Sequence, residues 1–247
     1  MLPGFFVLKT LDWLNLYFLK KYGIIKIRQR RYLMQNRNER WLSLWHRLNA
    51  IGDASIPITD LLTRYSESWR AYHTIEHIDA TLTELDQFCS SGGKIDDLAA
   101  VEMAIWYHDV VYDTKAKDNE EKSAELFRTI ALNSGISERF IKKVSLMILA
   151  TKHTWGTTLR GAQIVCDSDL SILGQSEEIF DEYEKNIRIE YEWVPEDKFV
   201  KGRMTVLKSF LERISIFQTK FFCKKYEEQA RKNLTRSIER LSTRSQS

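Results

Sequence analysis

Only three prolines and ten glycines interrupt 247 residues, and the apolar side chains recur at helical spacing nearly everywhere. That pattern predicts an all-α fold. Ile75, Ile78, Leu82 and Leu85 stand at i, i+3, i+7 and i+10, so residues 75–90 are read as a helix ended near Gly92 and Gly93. Asp96 or Asp97 starts the next, which runs through Ala100, Met103, Ala104 and Tyr107 and stops around His108. Asp118, with Glu121 three residues on, has the form of a capping arrangement opening a helix to about Asn133. Ser137 caps another that carries Ile141, Val144, Ile148 and Leu149 toward His153. After Gly161 comes a short apolar run ending in CDSDLSILG, then an acidic helix from Ser176 to about Tyr191. Pro195 suits a first helical position, and Val200, Met204, Leu207, Phe210, Leu211 and Ile214 are predicted to form a broad buried face behind it. The last helix, from Phe221, is expected to fray over SIERLSTRSQS. No strand pattern, internal repeat or low-complexity linker is visible.

A chain of this length with 43% hydrophobic residues buries one substantial core, and one globular body is the expectation. Thirty-seven basic residues against 34 acidic ones leave +3, too mild for a nucleic-acid footprint, so no nucleic-acid polymer is expected as partner. The charge is uneven: residues 1–40 hold nine basic residues against Asp12 and Glu39, or +7, and the remainder carries −4. Cys89, Cys166 and Cys223 are odd in number and widely spaced, which fits a reducing, cytoplasmic setting better than a disulfide framework. The stretch Leu2–Leu19 is apolar and aromatic, yet Lys9 and Asp12 interrupt it, and a spanning helix needs roughly 20 predominantly apolar residues. It lacks the features of a secretory signal. Residues 1–35 are therefore read as a basic amphipathic extension bearing an additional helix, with KIRQRR able to meet an anionic membrane surface peripherally. An extra helix packed on the domain, or a start codon placed too early, outweighs membrane contact. Residues 36–245 are the functional domain.

Four of the five histidines fall in three short segments: His73 and His77 in YHTIEH, His108 in WYHDVVYD and His153 in ATKHT, with the carboxylates of CDSDL downstream. His108 and Asp109 are adjacent, and neighbours on a helix point about 100° apart, so both reach one ion only where the helix ends beside it. Adding His77 from an earlier helix and Asp169 from a later one gives two imidazoles and two carboxylates, a mixed field that suits Mn, Fe, Zn, Co or Mg. Four protein ligands leave positions open for water, the mark of a catalytic metal site.

The ordered segments YHTIEH, WYHDVVYD, DNEEKSAE, ATKHT and CDSDLSILG resemble the HD superfamily of metal-dependent phosphohydrolases, over roughly Arg40 to Phe217. The resemblance implies an HD-domain helical bundle with the metal held between helices and His77, His108, Asp109 and Asp169 as its ligands. The YHxxxH and DLS segments are also similar to those of the cyclic-nucleotide phosphodiesterases. By that likeness His73 is the general acid, although Thr74 stands where an Asn is usual. Glu120, Glu121 and His153 are candidates for a second ion, water activation or phosphate contact, so one or two ions are expected. Arg70 and Lys152 flank the histidines and are the first choice for binding the phosphate, ahead of Lys115 and Lys117. Asp113 and Asp167 are placed behind the ligands. Duller readings stand beside these: Asp167 and Asp169 capping a short helix, Asp113 and Asn119 shaping a loop, Glu121 as a cap residue, His153 closing its helix. The implied activity is hydrolysis of a phosphate ester, of a nucleotide or similar small phosphorylated molecule, by a metal-bound hydroxide. Two other classes compete: a non-catalytic metal-binding module acting as ligand sensor or regulatory partner, and a helical scaffold attached to membrane by its basic arm.

Overall fold

The computed structural model describes residues 36–154 and 156–244. The chain divides into two units, Met1–Ser43 and Leu44–Ser247. The expected amphipathic helix and membrane contact of residues 1–35 lie outside the described residues. Residues 36–47 are helical (α1). There follow α2 (Ser55–Arg64), α3 (Ile75–Ser90), α4 (Leu98–Tyr107), α5 (Asn119–Asn133), α6 (Glu138–Ala150) and α7 (Arg160–Asp169). A 3-10 turn (Leu170–Gly174), α8 (Glu177–Glu190), α9 (Glu196–Leu211) and α10 (Lys220–Arg244) complete the order. Among the described residues there is no strand, and the fold is an all-α bundle.

The centre of the bundle is α4, which packs on α3, α5, α6 and α7. Its sequence LAAVEMAIWY has no polar stripe, and every residue from Ala100 to Tyr107 is buried. A helix apolar all round belongs inside a core. Its ends are satisfied individually: Asp97 accepts from the Ala100 amide at 3.1 Å, and the Trp106 carbonyl accepts from the Tyr65 hydroxyl at 3.0 Å. Ser137 caps α6 as expected, accepting from the Phe140 amide at 3.4 Å. α3 spans the predicted residues, and the chain leaves it through Gly92 at φ +87°, a left-handed conformation suited to glycine.

Three expectations are corrected. The capping arrangement at Asp118 does not form: its carboxylate pairs with Lys122, and Glu121 pairs with Lys152. The broad buried face of α9 is not buried, since only Val200 and Leu207 lie in the core and Ile214 is fully exposed. Of the predicted residues Phe210 faces a cleft, and Phe199 and Val206, outside the predicted face, line it too. The last helix does not fray at Ser237 but continues to Arg244, because Phe222, Tyr226, Ala230, Leu234 and Leu241 repeat at helical spacing beneath the charged residues. The Asn233 amide fixes it further, donating to the Leu173 and Gln175 carbonyls at 2.9 and 2.8 Å. No described helix is long and apolar enough to cross a membrane.

Candidate metal centre

Three helices end or begin at one point. His77 stands in the first turn of α3, His108 is the residue that terminates α4 with Asp109 next to it, and Asp169 closes α7. The helix end resolves the 100° problem, because beyond Tyr107 the backbone turns and both side chains swing to the same side. One ligand atom from each of His77, His108, Asp109 and Asp169 lies within 4.8 Å of all the others. The His77 and His108 Nε2 atoms are 3.2 Å apart. His77 Nε2 lies 3.1 Å from Asp169 Oδ1 and 3.6 Å from Asp109 Oδ2, and His108 Nε2 lies 3.1 Å from Asp109 Oδ2 and 3.6 Å from Asp169 Oδ1.

These spacings fit an ion. Two ligands at right angles on a metal about 2.1 Å away are about 3.0 Å apart. His108 Nδ1 sits 2.9 Å from the Ile105 carbonyl, which takes the Nδ1 proton and turns Nε2 toward the cluster. Two imidazole nitrogens facing at 3.2 Å repel unless a proton or a cation lies between them. Electrostatics agree: burial alone would depress the His108 imidazolium, yet Asp109 and Asp169 outweigh it and hold its pKa well above the ordinary value. Burial would likewise raise both carboxyls, but His108 for Asp109, and His108, His153 and His77 for Asp169, hold them well below the usual range. The pocket is built for positive charge.

Beside the cluster, His73 is held by a residue that no sequence motif announced. Glu190, the last residue of α8, is buried; its Oε1 accepts from the Ala71, Tyr72 and His73 amides at 2.8–2.9 Å, and its Oε2 lies 2.7 Å from His73 Nδ1 and accepts from the Tyr112 hydroxyl at 3.1 Å. Tyr112 also stacks on the His73 ring at 4.0 Å between centroids. Nδ1 is therefore committed to Glu190, and His73 lines the cleft. Burial would raise the Glu190 carboxyl, but His73 and the backbone donors take its pKa down to about 2. Burial would lower the His73 imidazolium, and Glu190, with Asp109 and Asp169, together more than reverse that.

The other expected residues divide between cleft and scaffold. His153 Nε2 lies 2.7 Å from Asp169 Oδ2, so Asp169 turns one oxygen to the two imidazoles and the other to His153. Its pKa rises to about 10, because the Asp169 contact outweighs burial. His153 takes a left-handed φ of +55° just after α6, which returns its ring toward α7, and Arg213 donates to its carbonyl. Lys152 and Glu120 line the cleft; the Lys152 ammonium pairs with Glu121 at 2.5 Å and lies 4.0 Å from Glu120. Glu121 is exposed and serves as that ion partner at the rim.

Arg70, expected to bind substrate, has another place. Its side chain is fully buried and donates to the His73 carbonyl at 3.0 Å, the Asp109 carbonyl at 2.7 Å, the Val110 carbonyl at 3.0 Å and the Glu67 carboxylate. With its planar fork so engaged, it braces the segment of His73 against that of Asp109. Asp113, expected behind a ligand, is exposed and shapes the turn after it by accepting from the Lys115 amide while Asn119 bonds its backbone. Asp167, also expected there, faces away and accepts from the Gln218 and Thr219 amides at 2.8 and 2.7 Å, anchoring the start of α10. Burial raises its pKa to about 6 against those hydrogen bonds.

The cluster opens into a cleft of about 570 Å³ whose far wall comes from α8, α9 and the corner between them. Sequence reading missed this wall: Tyr183, Tyr191, Trp193, Phe199, Val206 and Phe210, with the cations Lys198 and Arg203. The arrangement places a cation-seeking cluster, a histidine with a fixed tautomer and an aromatic recess in one cavity. Comparison of the chain with family models, with curated proteins and with solved structures finds no match.

Proposed function

We propose that this chain is a metal-dependent hydrolase of a small phosphate ester, as its resemblance to the HD superfamily implies. The convergence of His77, His108, Asp109 and Asp169 within 4.8 Å of one another carries the reading, since two facing imidazoles and two carboxylates on different helices are a donor set for a divalent ion such as Mn, Fe, Zn, Co or Mg. Bound there, the ion supplies Lewis acidity toward a phosphoryl oxygen and lowers the pKa of a coordinated water to about 7. His73 is the proton donor to the departing oxygen: Glu190 occupies Nδ1, favours the imidazolium and leaves Nε2 as the free ring nitrogen. His153 steadies Asp169 through its second oxygen, the role of an outer partner that orients a ligand. Lys152 stands at the cleft where a phosphate's charge needs an answer, its ammonium held in place by Glu121.

Metal analysis and turnover of an aryl phosphate and an aryl phosphodiester with Mn test the reading together. The native protein is expected to hold about one or two divalent ions and to turn over one of these esters. Asp109→Ala loses metal affinity by at least about 100-fold and turnover with it. His73→Ala keeps the metal and loses rate by roughly 100-fold or more. A metal-loaded protein inert toward every ester would instead make the cluster a sensor module.

A further inference from the structure

The far wall of the cleft carries information about the substrate that the metal cluster does not. Most of its polar groups are engaged within the protein, with the Tyr191 hydroxyl standing beside them at the wall. Thr114 Oγ1 accepts from Trp193 Nε1 at 2.8 Å, the Asn119 amide is bound in both directions to the Asp113 backbone, and Tyr112 donates to Glu190. Arg203 is committed to Glu184 and to the Tyr183 hydroxyl, and its guanidinium lies 5.1 Å from the Tyr183 ring centre. What remains on that side is apolar or aromatic surface, Trp193, Phe199, Val206 and Phe210, with the Lys198 ammonium in the first turn of α9.

From this we infer that the organic group of the substrate is apolar and preferably flat, an aryl or alkyl phosphate ester rather than a sugar phosphate, seated against Trp193, Val206 and Phe210 with its phosphate toward the metal cluster. The inference rests on the phosphate-ester reading for the head group alone; the wall decides the rest. A hydroxyl-rich group buried there would give up its water for surfaces that return no hydrogen bond, whereas a ring gains apolar burial and edge or face contact with the aromatic side chains. A cavity of about 570 Å³ accepts a ring system of drug-like size beside the phosphate. Lys198, which makes no ion pair or hydrogen bond among the described residues, is free to meet one further negative charge on such a group.

The test is calorimetric titration of the full-length, Mn-loaded protein with three phosphonates: methylphosphonate, 1-naphthylmethylphosphonate and a polyhydroxylated alkylphosphonate of similar size. The aryl compound is expected to bind at least about 10-fold tighter than methylphosphonate, and the polyhydroxylated one no tighter than methylphosphonate. Phe210→Ala, and independently Val206→Ser, reduce the aryl advantage several-fold, while Ile214→Ser, exposed beyond the end of α9, leaves it as it was. Equal affinity for the aryl and methyl compounds, tighter binding of the polyhydroxylated one, or failure of all three to bind overturns the inference. Turnover of 1-naphthyl phosphate, measured alongside, separates it from the reaction: an aryl preference without turnover sinks the hydrolase and keeps the wall, and turnover without an aryl preference does the reverse.

Discussion

α4 and α9 both deliver residues to the cleft, and they do so by opposite means. α4 is wrapped by four other helices, is buried from Ala100 to Tyr107, and hands over His108 and Asp109 from a helix end fixed on every side. α9 keeps only Val200 and Leu207 in the core and gives Phe199, Val206 and Phe210 to the cavity from a surface position. The His-Asp cluster is placed where packing leaves little freedom, and the residues that shape the recess sit near the surface. Glu190 joins the two: it ends the outer helix α8, yet its carboxylate fixes the backbone and ring of His73 on the inner side.

The contrast can be broken at its strong end first. Ile105→Ala, at a fully buried position of α4, is expected to cost about 2–5 kcal/mol in urea unfolding. A loss under about 1 kcal/mol would mean that α4 is not the rigid member.

Glu190→Gln probes the tie through pH. The Glu190 carboxyl is lowered from 4.5 to about 2, so its contribution is complete above about pH 4.5 and is lost as pH falls toward 2. The His73 imidazolium is raised, so its share is complete below its ordinary 6.5 and is lost as pH rises through the raised value. The wild-type advantage over Glu190→Gln should therefore peak between about pH 4.5 and 6.5, on the order of 3 kcal/mol, and shrink on both sides. A difference independent of pH would show that the two groups do not act as a pair.

At the weak end, Ile214→Ser is expected to change stability by no more than about 0.5 kcal/mol, since that side chain is fully exposed. A larger loss would mean that the segment just beyond α9 carries a packing contact that its exposure does not indicate.

Where local physics decided the outcome, the sequence was readable. α3 begins and ends at the expected residues because its apolar stripe and Gly92 are both local signals, and Asp97 and Ser137 cap as their chemistry requires. The cluster of His77, His108, Asp109 and Asp169 was legible because a His-Asp pair at a helix end invites partners from other helices. Glu190 was not, being one of six acids in EEIFDEYEKNIRIE, with partners at residues 71–73 and 112 far away in sequence; nothing in the helix distinguishes it from its solvated neighbours. Asp167 failed for a similar reason, as the amides it caps belong to residues 218 and 219. Of the expected α9 stripe, Val200 and Leu207 do enter the core and Phe210 turns to the cleft, while Phe199 and Val206, which join it there, lay outside the stripe, because a helical period records which side is apolar and not whether protein or cavity lies opposite.

Arg70 has a consequence for any redesign of this protein. One rigid plane touches the carbonyls of His73, Asp109 and Val110, so the gap between His73 and the His-Asp cluster is gauged by a single side chain acting as a rivet through both segments. A lysine keeps the charge but has no planar fork to span three oxygens, and the two segments would lose their common register.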